Sequence, residues 1–243
     1  MGLISAICSE LAKLKHTSFW KVHIIMPVAG AFIFVLYFML YDSVDDMKKL
    51  KLILEITATM FPLLIGLIVS LNVLQEERAS HFQTLLAVPR RGRIFLAKLV
   101  VLYGSGTAAL GCLYALFLLG LGLTGQFEEI NICLLVQAMI GIALGNLIIY
   151  VLHLFLSLKF GFGVSLFWGI FESLQIIMYS NIELKGAARY IPFAWSISWG
   201  HDVLNQTLGR NGVEWVLSML LTVCALLAAI KWFIHWEGRK NYE

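Results

Sequence analysis

The chain has 243 residues, 60% hydrophobic and 14% charged, with a net charge of +3 and a mean hydropathy of +0.84. Soluble domains average about 25% charged and about 45–50% apolar residues, so this composition belongs to a membrane protein. The small net charge, with no basic patch interleaved with aromatics, excludes a nucleic-acid binder.

Residues 2–15, GLISAICSELAKLK, place Leu3, Ile4, Ile7, Leu11 and Leu14 on one helical face, with Ser9 and Lys13 opposite. That pattern suits a helix lying in the membrane interface, within an interfacial segment 1–21. The plainer reading is a frayed polar start to the first span. No continuous apolar stretch and no A-x-A site marks a cleavable signal peptide there.

A spanning helix needs about 20 mostly apolar residues. Six runs qualify, at about 22–41, 56–74, 99–123, 130–156, 160–178 and 213–236. They are continuous rather than alternating, which predicts helices and not a barrel. The expected fold is an all-α polytopic membrane protein, one domain over 1–243.

Between the second and third runs lies QEERASHFQTLLAVPRRGRIFLAK, residues 75–98. Ala79, Phe82, Leu85 and Leu86 recur at three- to four-residue spacing and predict a short amphipathic helix. Glu76 and Glu77 fall in its first turn, where the helix dipole favours anions. Pro89 stops it, and Arg90, Arg91 and Arg93 turn the chain back. A helix with an apolar stripe needs the lipid surface or a partner protein.

Residues 179–212 carry Tyr190, Phe193, Trp195 and Trp199 around an Ile191-Pro192 break. Aromatics gather at membrane interfaces, so short helices dipping back into the outer leaflet are expected. Asn205-Gln206-Thr207 matches a glycosylation sequon only weakly. The acidic positions Asp42, Asp45, Asp46, Glu128 and Glu129 could attract a cation or simply solubilise loops.

Six spans put both termini on one side. That side holds Lys13, Lys15, Lys21, Arg78, Arg90, Arg91, Arg93, Lys98, Lys159, Lys231, Arg239 and Lys240; the other holds Lys48, Lys49, Lys51, Lys185, Arg189 and Arg210. The excess of positive charge predicts cytoplasmic termini and a cytoplasmic 75–98 segment in a plasma membrane.

No P-loop, H-E-x-x-H or G-x-S-x-G motif is present, so no catalytic residue, metal ligand or bound cofactor is expected. Cys8, Cys112, Cys133 and Cys224 form no C-x-x-C pair and read as buried small hydrophobes. Gly141 and Gly145 form a G-x-x-x-G that allows close helix packing. Ionisable groups inside the membrane default to functional hypotheses. Glu172 lies about 18 Å into the fifth span at 1.5 Å per residue. Asn146 falls at matching depth on the fourth span, so a Glu172–Asn146 hydrogen bond is one reading. The other places Glu172 and Gln175 in a cavity facing a cationic substrate. His153 reads as interfacial.

An interfacial N-terminal helix, six spans, a helix between spans two and three and an aromatic re-entrant piece together resemble permeases of type-2 ABC exporters. LQEERASHFQTLLAVPRRGRIFLAKL carries the resemblance most specifically. In that family the acidic pair, the LL helix, the proline and the arginine form the coupling helix that docks on an ATPase subunit. The length and this segment resemble, more narrowly, lantibiotic-immunity permeases of the MutE/EpiE type. The resemblance implies ABC ATPase subunits that bind ATP and magnesium. It also implies a second permease subunit, more often a different one than a copy, and a cationic peptide antibiotic as cargo. It assigns docking to Glu76, Glu77, Phe82, Leu85 and Leu86 in a coupling loop 75–93. Alternatives are a bacitracin-like antibiotic or lipid cargo, or a membrane scaffold or immunity protein without transport.

Overall fold

The computed structural model describes residues 2–41, 44–125, 131–181, 190–206 and 212–239. Asp42, Glu128, Glu129 and Thr207 of the sequon lie outside the described residues, as do Lys185, Arg189, Arg210 and Lys240 of the charge tally. The described residues are all-helical, with no strand among them. Among the described residues, six helices are long and apolar enough to cross a membrane: Phe19–Leu40, Met47–Ser80, Arg91–Leu123, Ile132–Phe160, Phe162–Tyr179 and Trp215–Ile234. In chain order the elements are α1 (Leu3–Leu14), α2 (Phe19–Leu40), α3 (Asp46–Ser80), α4 (Gln83–Leu86), α5 (Arg91–Leu123), α6 (Ile132–Gly145), α7 (Leu147–Phe160), α8 (Phe162–Asn181), α9 (Trp195–Leu204) and α10 (Gly212–Ile234).

α3 is the central element. It packs along α8 and α7, while α5 is flanked by α2, α1 and α10. Large apolar side chains stay exposed on the outside, among them Ile24, Ile25, Phe32 and Ile33 on α2. In lipid such a face is solvated by acyl chains, so its exposure carries no penalty. The same reason corrects the expectation for the cysteines: Cys8, Cys112, Cys133 and Cys224 are all free thiols on exposed faces, not buried ones.

Two boundaries depart from the apolar runs. α3 is one helix of 35 residues, about 52 Å long, against an apolar layer of about 30 Å. Lys48, Lys49 and Lys51 at one end and Gln75, Glu76 and Glu77 at the other all lie within it. The short helix between spans two and three is therefore only Gln83–Leu86, and Glu76 and Glu77 close the preceding helix instead of opening this one.

The fourth run breaks at Asn146. Its Nδ2 donates to the Ile142 carbonyl at 2.8 Å, and its backbone N–H bonds the Ile142 and Ala143 carbonyls. Here α9 presses on the backbone: a Cβ at Gly145 would sit 2.6 Å from the Ser196 nitrogen. The glycine pair predicted for helix packing thus receives α9, within the aromatic segment. Trp195 and Trp199 are buried on it, Trp199 stacks on Trp215 of α10 with ring centroids 4.0 Å apart, and His201 Nε2 lies 3.0 Å from Glu55 Oε1 of α3.

Candidate functional site

At one end of the bundle, four charged groups from three helices close on one another. Lys13 of α1 donates to Glu10 Oε1 at 2.7 Å and to Glu76 Oε1 at 2.9 Å. Lys98, seven residues into α5, lies 2.7 Å from Glu10 Oε2 and 3.0 Å from Glu76 Oε1. Its third hydrogen goes to Asn72 Oδ1 at 2.9 Å. Two ammoniums meet two carboxylates, and the three-donor capacity of Lys98 is filled. Burial would depress Lys13, but the carboxylates of Glu10 and Glu76 outweigh it and hold the ammonium above its usual range.

The local sequence explains the geometry. Ala6, Glu10 and Leu14 recur every four residues and form the buried face of α1. Of the expected apolar stripe, Leu14 lies on this buried face and Ile7 packs partly against the core, while Leu3, Ile4 and Leu11 are exposed. α1 thus leaves Leu3, Ile4 and Leu11 on the outside and turns its one acid inward against α5.

The loop beyond Glu76 is held from both sides. His81 (φ 46°) and Phe82 (φ 65°) both adopt left-handed backbone, a conformation that costs a non-glycine residue about 1–2 kcal/mol. The turn drives the Phe82 ring inward to 2% exposure, edge-on to Trp236 at 5.1 Å and beneath the Arg239 guanidinium at 5.2 Å. Burying an aromatic side chain of this size contributes about 2–3 kcal/mol, which offsets the strain. Arg239 also pairs with Glu77, and Arg91 donates to the Trp236 carbonyl at 2.9 Å. Thr84 of α4 reaches Glu76 Oε2 at 3.4 Å. Leu85 is buried and Leu86 half-buried, whereas His81, Gln83, Thr84, Ala87 and Arg90 are exposed.

A second polar centre lies inside the spans. Glu172 Oε2 of α8 meets His153 Nε2 of α7 at 3.0 Å. His153 Nδ1 meets Ser165 Oγ at 2.8 Å, and Ser165 Oγ reaches the Gly66 carbonyl of α3 at 3.3 Å. His153 and Glu172 are 0% and 1% exposed. The helices approach closely enough for this because Gly169 has no side chain: a Cβ there would lie 2.9 Å from the Pro62 carbonyl.

The expected Glu172–Asn146 hydrogen bond is therefore not formed, and His153 is a core residue, not an interfacial one. Counting residues gave the wrong partner because side chains lean toward the N-terminus of their own helix. In the antiparallel pair α7 and α8, Glu172 leans toward the Gly161 turn and His153 leans away from it, so the two converge. Gln175, one turn further on, is half-buried.

Among the docking residues read from the sequence, Glu76, Phe82 and Leu85 are buried within the chain itself. Sequence reasoning missed Glu10, Asn72, Trp236 and Arg239. A signal existed for one of them, Glu10, which occupies the Ala6–Leu14 face; Lys98, a lone cation among apolar residues, likewise requires a partner.

A family model described as ABC-2 family transporter protein matches residues 6–175, more than half of the chain. No curated protein and no solved structure matches it.

Proposed function

The chain belongs to the ABC-2 transporter family, as the membrane component that works with a separate ATPase, and we propose that it expels a lantibiotic-type antimicrobial peptide from the cell membrane and so confers immunity. The family membership carries the transport reading. The peptide cargo rests on the resemblance of the 75–98 segment and of the overall length to immunity permeases.

In this reading ATP and magnesium bind on the ATPase subunit, which docks on the cytoplasmic end of the bundle. The twofold excess of lysine and arginine on that side supports the orientation. Contact is made by the exposed Gln83, Thr84 and Ala87. Glu76, Glu77, Phe82, Leu85 and Leu86 act from behind, fixing the shape of the docking surface. A push on α4 reaches α1, α3 and α5 together through the Glu10–Lys13–Glu76–Lys98 cluster, which suits rigid-body transmission. A second permease subunit, of different sequence, completes the pathway. Gln175 borders the peptide path, and Glu172 shapes it through His153.

The test is purification of the tagged chain from its own host, followed by identification of the bound subunits. Growth inhibition by a lantibiotic is then compared in cells with and without the chain. Recovery of a P-loop ATPase together with a loss of tolerance in the deletion strain supports the reading. An ATPase without any change in tolerance assigns a different cargo. No ATPase at all overturns the transport reading.

A further inference from the structure

Between the start of α2 and the last turns of α3 lies a cavity of about 190 Å³. Val22, Ile68 and Leu71 line its apolar part, and His23, Gln75 and Arg78 its polar part. The wall runs from Ile68 to Arg78, about 15 Å along α3, so the groove is greasy at depth and cationic at the membrane edge. It opens outward, because α2 packs mainly along α5 and leaves α3 partly uncovered, with Ile24 and Ile25 of α2 exposed beside it.

Two polar groups in this groove, the Arg78 guanidinium and the His23 Nε2, lack partners among the described residues. Arg78 is exposed and has no ion pair among the described residues, although Glu76 and Glu77 beside it are both paired. His23 is 7% exposed. Its Nδ1 lies 2.8 Å from the Phe19 carbonyl; a carbonyl only accepts, so Nδ1 carries the hydrogen, and in the neutral imidazole Nε2 is an acceptor. That Nε2 is buried without a hydrogen-bond partner among the described residues. Buried acceptors are satisfied in the great majority of folded sites, so an unfilled one marks a missing donor.

We propose that this groove is a binding site for one phospholipid. Its phosphate meets the Arg78 guanidinium, which suits phosphate oxygens bidentately. A headgroup hydroxyl or ammonium hydrogen satisfies His23 Nε2, and an acyl chain covers Val22, Ile68 and Leu71. The chemistry selects headgroups that carry a donor hydrogen: phosphatidylglycerol and phosphatidylethanolamine qualify, and phosphatidylcholine, whose ammonium is fully methylated, does not.

The experiment is native mass spectrometry of the full chain in detergent, titrated with these three lipids at matched acyl chains. One phosphatidylglycerol or phosphatidylethanolamine per chain is retained at concentrations at least tenfold below those needed for phosphatidylcholine. Arg78→Gln lowers phosphatidylglycerol retention at least tenfold. His23→Phe keeps the ring volume, removes the acceptor and erases the preference over phosphatidylcholine. Leu71→Trp fills the groove and loses bound lipid whatever the headgroup, a result that stands even if Arg78→Gln fails to fold. Equal retention of the three lipids, or unchanged retention in Arg78→Gln or in Leu71→Trp, overturns the site. Displacement of the lipid by millimolar inorganic phosphate alone overturns it in favour of a free-anion site. Lipid retained by monomers and excluded from dimers overturns it in favour of a second copy of the chain as the occupant.

Discussion

Glu10 and Lys98 sit 2.7 Å apart with both side chains only 4% exposed, joining the first helix of the chain to the third span. Neither charge has water to fall back on. Each is tolerable only because the cluster is balanced, two carboxylates against two ammoniums.

Removing one member of a buried ion pair leaves an uncompensated charge and costs about 3–5 kcal/mol. Glu10→Gln and Lys98→Gln should each lower the thermal unfolding midpoint of the detergent-solubilised chain markedly. The double variant restores neutrality and should recover part of the loss, giving a coupling above about 1 kcal/mol in the cycle. A purely additive cycle would show that the two groups do not act as a unit.

The loop offers a contrast between buried and exposed positions. Phe82→Ala empties a site against Trp236 and Arg239 and should cost about 3 kcal/mol or slightly more. It should also speed proteolysis between His81 and Arg90. Ala87→Arg changes only an exposed position, so it should leave the unfolding midpoint within about 0.5 kcal/mol of wild type while abolishing ATPase co-purification. A normal pull-down with Ala87→Arg would move the docking surface elsewhere.

The six spans can be read from the sequence because lipid forces about 20 apolar residues in a row, and nothing else in the chain mimics that. Helix ends are harder. The run of α3 continues through Gln75, Glu76, Glu77 and Arg78 because a helix does not stop where the apolar layer does. The partners of buried charges are harder still. Glu10, Lys98 and Glu76 are three separate facts in the sequence, and only packing makes them one cluster. Glu172 was recognisable as a costly intramembrane acid, yet its partner depends on the lean of two side chains in an antiparallel pair.

That lean leads to a test of the intramembrane centre. Glu172→Leu strands His153, and His153→Leu strands Glu172, so each should destabilise by about 2–4 kcal/mol. The double Leu variant removes both polar groups and should be more stable than either single one. Glu172→Gln keeps a hydrogen-bonding group opposite His153 and should be the mildest of the series. Single variants that melt like wild type would mean the pair contributes nothing to packing.

Lys13 sets the alkaline limit of the junction. Burial opposes its charge, but Glu10 and Glu76 win and raise it above 10.5. A group whose folded pKa is raised binds its proton more tightly in the folded state. Its contribution is complete below the unfolded value and disappears as pH rises through the folded one, so no loss is expected across the neutral range. Unfolding midpoints measured from about pH 10 upward should fall more steeply for wild type than for Lys13→Met, because only wild type has this proton to lose. The difference between the two curves isolates Lys13 from the other lysines and tyrosines that titrate in the same window. Glu10→Gln should shrink that difference, since it removes the first of the two carboxylates that hold the proton in place. Parallel curves for wild type and Lys13→Met would show that the ammonium gains nothing from the cluster.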